Sequence, residues 1–252
     1  MLAQNSNNIE IIVVDDGSTD DTRSKIYGLG FKEIKVFGQK HLGPAIARNL
    51  GASKAKGEIL VFVDADMTFD KDFIESLIEP IIERKTIGTF SKEEYVSNGD
   101  NIWSRCWNIN KNLPKNKMHL DNYPDTQDVF RAILKSKFDE VGGFDSVGYN
   151  DDWTLARKLK TQATNAPGAI FFHQNPGTLT EVWQQASWIG KRKYKLKLVA
   201  IVRTSLPISL LLGLIKSVFY LNPSFVVFKI VYDLAIFASV LKSFFPGYSV
   251  VK

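Results

Sequence analysis

Three acidic pairs and one histidine stand where this sequence could do chemistry. Asp15-Asp16 and Asp64-Ala65-Asp66 each end an apolar run, Asp151-Asp152 follows Gly148-Tyr149-Asn150, and His173 follows Ala169–Phe172. Carboxylates held together at strand ends repel one another unless a positive group lies between them. A hard divalent cation, Mg2+ or Mn2+, does this through oxygen ligands. In an extended segment residues i and i+2 share a face. Asp64 and Asp66 can therefore enter one cleft, one meeting a metal and the other a ligand hydroxyl or the metal's water shell. A diphosphate would complete the coordination, and as a leaving group it needs its charge neutralised. An acceptor hydroxyl needs a general base, for which Asp151 and Asp152 are the candidates. His173 is a candidate metal ligand or diphosphate contact. The plain alternatives are solvated acids, a helix cap and a structural histidine.

Elements that position these groups are legible from periodicity. Ile9–Val14 reads as a buried strand, followed by a helix capped by Thr19 or Asp20 and reaching about Gly28. Glu33–Phe37 is a second strand, Pro44–Lys54 a helix, Glu58–Val63 a third strand and Asp70–Glu83 a helix. Strand and helix alternate with short links, which predicts an α/β fold with a mostly parallel sheet flanked by helices. Further on, Thr86–Glu93 and Val129–Leu134 read as strands. Asn101–Asn110 reads as a helix with Trp103 and Trp107 on one face. Pro114–Thr126 is a loop, Asp152–Leu159 is helical, and Leu179–Tyr194 is an amphipathic helix.

The chain has 252 residues, a formal charge of +5 and one cysteine, Cys106, so no intrachain disulfide can form. Lys191, Arg192, Lys193, Lys195 and Lys197 crowd together ahead of a long apolar region. Basic runs beside apolar segments attract anionic headgroups and favour the cytoplasmic face. The expected place is the cell membrane, with the catalytic part on the cytoplasmic side. No recognition motif accompanies the charge, which argues against nucleic acid as a partner. Ile208–Ile215 and Phe225–Leu241 are apolar, but the second carries Lys229 and Asp233, four apart and able to pair. Two short spans, a re-entrant hairpin, interfacial helices and packing onto the globular part all remain open. The expected division is a catalytic domain over 1–197 and a membrane-associated helical region over 198–252.

The strand-end motifs resemble glycosyltransferase family 2, whose members are inverting enzymes of GT-A fold. The landmarks are Glu10–Asp20, with Asp15-Asp16-Gly17-Ser18 at its centre; Gly43-Pro44-Ala45-Ile46-Ala47-Arg48-Asn49; and Ile59–Asp66. They continue with Gly142-Gly143-Phe144-Asp145, then Asp151-Asp152, and with His173 followed by Gln184-Gln185-Ala186-Ser187-Trp188. The resemblance implies nucleotide contacts at Asp15, Asp16, Arg48, Asn49 and Asp64, and a metal held by Asp64 and Asp66 with His173. It implies that Asp152 is the base and that Asp151 stands in for the family's usual Glu. Gln184, Trp188, Lys191 and Arg192 fall in an acceptor or diphosphate region, although Ser187 replaces the usual Arg of that signature. Family members begin with an earlier strand and helix, so Leu2-Ala3-Gln4-Asn5 reads as the end of a missing first helix and the N-terminus as incomplete.

The function this implies is metal-dependent, inverting transfer of a sugar from a nucleoside diphosphate sugar. UDP is the expected nucleotide, with GDP and dTDP sugars open, and the acceptor would be lipid-linked or a membrane-proximal glycan. The alternatives are a truncated or inactive scaffold at the membrane and a nucleotidyltransferase. The second would need a glycine-rich phosphate loop, which the sequence lacks.

Overall fold

A computed structural model describes residues 3–5, 8–28, 30–31, 33–147, 150–191 and 197–242. Leu2, Gly148, Tyr149, Arg192, Lys193, Tyr194, Lys195 and the end of the apolar region, 243–252, lie outside the described residues. The order opens with β1 (Ile11–Asp15), α1 (Thr22–Gly28), β2 (Ile34–Gly38), α2 (Pro44–Lys54), β3 (Ile59–Val61), β4 (Met67–Phe69) and α3 (Phe73–Ile82). It continues with β5 (Gly88–Phe90), β6 (Glu94–Val96), α4 (Ile102–Lys111), β7 (Thr126–Gln127), β8 (Ala132–Leu134) and α5 (Lys135–Glu140). A 3-10 turn over Asp151–Trp153 leads into α6 (Thr154–Leu159), β9 (Ala163–Asn165) and β10 (Phe171–His173). Four helices close the chain: α7 (Leu179–Gly190), α8 (Lys197–Arg203), α9 (Leu206–Phe219) and α10 (Ser224–Lys242).

The chain divides into two compact units. The first takes in the described residues of Met1–Glu93 and Tyr123–Phe171, the second those of Glu94–Asn122 and Phe172–Val250.

In the first unit β1 and β2 pair in parallel, with Ile11 opposite Ile34. A five-stranded sheet has the order β3-β8-β5-β9-β7. Here the sequence expectation is corrected, because the sheet is mixed. Only β5–β9 runs parallel among its described pairings, while β3–β8, β5–β8 and β7–β9 are antiparallel. Alternating side chains fill both faces, as a doubly covered sheet requires. Leu60 and Ile133 enter one core with Phe90, Phe130, Phe138 and Leu155. Ile59, Val61, Ala132 and Leu134 turn to the other, against Phe73, Leu77 and Ile81 of α3.

The second unit is mainly helical. Cys106, Trp107 and Ile109 of α4 pack with Val182 of α7 and with Phe225 and Phe228 of α10. Burial pushes the Cys106 thiol up to about 11, so it serves as a small core residue. Gly190 lets α7 lie close to α10, for a Cβ there would fall 2.6 Å from the Ser239 Cβ. The pairing expected of Lys229 and Asp233 is present at 2.8 Å, with both side chains buried. Ser209 of α9 donates to the same carboxylate at 2.8 Å.

Glu10, just ahead of β1, ties three chain segments together. It accepts from Lys35 Nζ at 2.7 Å and from the backbone N–H groups of Lys56 and Gly57. The Lys35 bond and these amides lower its pKa from 4.5 to about 2. A carboxyl whose folded pKa is depressed stabilises fully above its unfolded value, and that contribution is lost as pH falls. Glu10→Gln should therefore reduce the acid loss of stability between about pH 4.5 and 2, read by urea unfolding at stepped pH. An unchanged acid profile would refute the assignment.

Candidate active site

Asp64, just past β3, and Asp152, in the 3-10 turn, converge on one guanidinium. β3 ends at Val61, and the chain continues without regular structure through Phe62 and Val63 to Asp64. Arg48 lies in the second turn of α2, which starts at Pro44 behind Gly43, a residue at φ 96° that carries no Cβ to clash there. Arg48 Nη2 donates to Asp64 Oδ1 at 3.0 Å, and Nη1 pairs with Asp152 Oδ1. The second oxygen of Asp64 takes Arg131 Nη1 at 3.3 Å. Arg131 also lies 5.5 Å from the centre of the Phe171 ring, and Arg48 5.8 Å from that of Phe144. Burial works against charge on Asp64, yet the Arg131 and Arg48 cations outweigh it and hold its carboxyl below the ordinary range. Burial likewise opposes the Arg48 charge, and Asp152 and Asp64 reverse that.

The two neighbouring acids of the 3-10 turn separate clearly. Asp151 is buried, and its carboxylate accepts from Val147 N at 2.8 Å while its carbonyl accepts from Thr154 Oγ1 at 2.6 Å. The Asp152 side chain is 43% exposed and faces Arg48. Asn49, beside Arg48, holds the preceding loop: its amide donates to Phe144 O at 2.8 Å and its oxygen accepts from Phe144 N at 2.9 Å. Gly143 is required by that clamp, with φ at 72° and a Cβ position only 2.5 Å from Asn49 Oδ1. The Arg-Asn pair therefore divides its work, Arg48 on the acids and Asn49 on the loop that leads to them.

Asp15 and Asp16 shape the loops after β1. Buried Asp15 accepts from Ser18 N at 3.1 Å and from Arg23 Nε at 3.0 Å. Asp16 accepts from the backbone N–H groups of Leu42 and Gly43, each at 2.9 Å, beside the N-terminus of α2. A carboxylate there complements the helix dipole. Asp66 lies exposed in the turn between β3 and β4.

In the second unit, Glu94 accepts from His173 Nδ1 and from His119 Nε2, each at 3.0 Å. Gln184 is exposed on α7, with Trp188 one turn on, and Lys191 Nζ lies 5.6 Å from the centre of the Trp188 ring. Arg192 falls outside the described residues.

Among the described residues no group of three or more His, Cys, Asp or Glu is arranged around a metal. The expected set of Asp64, Asp66 and His173 is thus not gathered as a protein-only cage, and both Asp64 oxygens already have arginine partners. A cation held by one carboxylate and completed by substrate phosphates and water needs no such cage. The exposed Asp66 fits that role.

Sequence reasoning missed Arg131, Glu94 and His119. The only signal for Arg131 was the electrostatic need for a cation beside Asp64. Its location follows from strand direction. β8 runs antiparallel to β3, so the residue before β8 lies beside the residues after β3, and Phe62 N donates to Arg131 O at 2.8 Å.

Residues 1–142 match the family model described as glycosyl transferase family 2. An uncharacterized glycosyltransferase of Rickettsia conorii is 42% identical over 97 residues, covering 38% of this chain and 16% of that protein. Another, of Haemophilus influenzae, is 35% identical over 91 residues, covering 35% of this chain and 36% of its own length. The chain thus spans well under half the length of these curated relatives. The structure of S. aureus TarS 1–349 superposes with a TM-score of 0.52 at 15% identity, covering 96% of this chain and 84% of that one. At that identity the likeness concerns the fold. An α/β unit with acids and arginines beyond its strand ends places its candidate site where open α/β sheets bind ligands. The chain belongs to glycosyl transferase family 2.

Arg131→Leu should raise the Asp64 pKa, because desolvation then faces only one arginine. Carbon NMR titration of the Asp64 carboxyl measures this, and an unmoved midpoint would show that Arg131 does not set its charge.

Proposed function

We propose that the chain catalyses metal-dependent, inverting transfer of a sugar from a nucleoside diphosphate sugar on a GT-A-type fold. The observation that carries this reading is the bridge of Arg48 between Asp64 and Asp152. It brings the acid of the diphosphate motif and the acid suited to be a base to one guanidinium, across 104 residues of sequence.

Asp152 is the general base and takes the proton of the acceptor hydroxyl as its oxygen attacks the anomeric carbon. The diphosphate leaves from the opposite face, so the configuration inverts and no covalent enzyme intermediate forms. Asp151 holds the turn that presents Asp152. Arg48 and Arg131 orient Asp64 and neutralise charge around the leaving group. Asp15 and Asp16 shape the nucleoside side of the cleft, and Asn49 supports it through the Phe144 loop. Asp66 would hold Mg2+ or Mn2+, and a bound cation would supply charge neutralisation to the diphosphate. A UDP-linked donor is supported by the fold likeness to TarS, which has been solved with UDP-GlcNAc and with UDP.

The proposed catalytic domain covers 1–197, with a membrane-associated region over 198–252. α10 is long and apolar enough to cross a membrane, with a mean hydropathy of 2.0. Together with the basic run before α8, it supports a lipid-linked or membrane-proximal glycan acceptor at the cell membrane, with the catalytic part on the cytoplasmic side.

Calorimetric titration with a panel of nucleotide sugars should give heat for one nucleotide with manganese and none with EDTA. Equal binding in EDTA would remove the cation, and no binding by folded protein would remove the donor site. Asp152→Asn should lower turnover by at least about a hundredfold while donor affinity changes less than about threefold. Retained turnover would remove Asp152 as the base.

A further inference from the structure

The turn that carries Asp152 is fixed to the core on one side and open on the other. Asp151, Thr154, Leu155 and Ala156 are all buried. The Asp151 carboxylate accepts from Val147 N, and the Asp151 carbonyl accepts from Thr154 Oγ1. With those four residues turned inward over one helical turn, 152 and 153 are left to flank its outward side. The Asp152 side chain is 43% exposed, and Trp153 is 47% exposed. The Trp153 backbone N–H donates to Asn150 O at 3.2 Å. Its indole has no aromatic, cation or hydrogen-bond partner among the described residues. Trp107, by contrast, is buried edge-on to Phe228 and Tyr232, and Lys191 lies against Trp188. A single exposed hydrophobe needs no explanation by itself. The place of this one does, because it follows directly the residue that must touch the acceptor.

During transfer the accepting oxygen lies within about 3 Å of the Asp152 carboxylate. Consecutive Cα atoms are about 3.8 Å apart, so a ring bearing that oxygen comes within reach of the Trp153 indole. A pyranose has a face made of C–H bonds and a rim of hydroxyls. An indole matches both, with a flat apolar face and one N–H donor at its edge. It also has only two side-chain torsions to fix, so stacking costs little entropy. A lipid chain would ask instead for a continuous apolar groove, whereas Trp153 sits among Asp152 and the exposed Asn150.

We propose that Trp153 is the platform for the acceptor: its indole stacks on the face of the pyranose whose hydroxyl Asp152 deprotonates. The proposal rests on the reading of Asp152 as the base. The indole fixes the ring while Asp152 meets one hydroxyl of its rim. Residue 153 therefore bears on which acceptor is used and leaves the donor alone.

The test is saturation-transfer NMR on the full chain, with UDP and manganese present, against methyl pyranosides of gluco, galacto, manno and N-acetylgluco configuration. At least one should receive saturation on its C–H face. Trp153→Ala should weaken that contact at least about tenfold, and Trp153→Phe less than about threefold. Tyr27→Ala, which removes an exposed aromatic from α1, should leave it unchanged. Tm should hold in all three, because each side chain replaced is exposed. Contact with no pyranoside, or contact indifferent to residue 153, would overturn the proposal. If nucleotide-sugar heat persists in calorimetry, the transferase reading survives that result; if it is absent from folded wild-type protein, both fall. Equal loss in Trp153→Phe and Trp153→Ala would overturn stacking as the cause. A wild-type oligomer dissociated by Trp153→Ala would also overturn it, by identifying a second copy as what covers the indole.

Discussion

The site depends on one constraint: a single guanidinium satisfies two carboxylates that the chain keeps far apart in sequence. Arg48 can do so because its planar fork offers separate donors, Nη2 to Asp64 and Nη1 to Asp152. A lysine at this position would present one compact charge in place of that fork. The requirement then spreads outward. Arg48 must project from the second turn of α2, so α2 must start at Pro44, and Asp16 fixes that start through the amides of Leu42 and Gly43. Asp152 must arrive from the far side of the Phe144 loop, which Asn49 holds through two hydrogen bonds. Neighbouring residues on one helix thus supply both an ionic partner for Asp152 and a clamp on the loop that precedes it.

How much of this was legible in the sequence depended on whether information was local. The strand end at Asp15, the helix Pro44–Lys54 and the turn at Gly142-Gly143 are written in short-range patterns and lie in the structure where those patterns place them, whereas β3 ends at Val61, ahead of the Val63 that the apolar run suggests. Strand direction is not written that way. Alternation of strand and helix over residues 9 to 83 favours parallel pairing, yet β8, arriving from beyond residue 130, enters antiparallel between β3 and β5. In a parallel arrangement the residue before β8 would lie at the opposite edge from Asp64. The parallel expectation and the missed Arg131 therefore share one cause. Asp151 and Asp152 were likewise indistinguishable by type and spacing, and only burial and partners separate them.

The second unit treats charge in the opposite way. The site gathers ionised groups at a partly exposed edge, whereas α10 buries Lys229 and Asp233 against each other. A buried ion pair is weak evidence for stability, because desolvation offsets much of the attraction. Lys229–Asp233 is better understood through what it achieves on the surface. With Ser209 donating to its carboxylate, it removes two charges from the surface of two mainly apolar helices. Lys216 does the same by capping α4. The sequence showed the i, i+4 pair but not its direction, since periodicity cannot say which side of an apolar helix is the inside.

The charge balance of the cluster also bears on the proposed cation. Asp64 and Asp152 are met by Arg48 and Arg131, two acids against two bases, so the site has no net formal charge to offer an arriving diphosphate. If the arginines turned to the phosphates, both carboxylates would be left close together without a counter-charge. A divalent ion carried in with the diphosphate and received by Asp66 removes that conflict, because it neutralises the phosphates while the arginines keep their acids. The proposed metal is thus consistent with the lack of a protein-only cage among the described residues, since such a cation would belong to the substrate as much as to the chain.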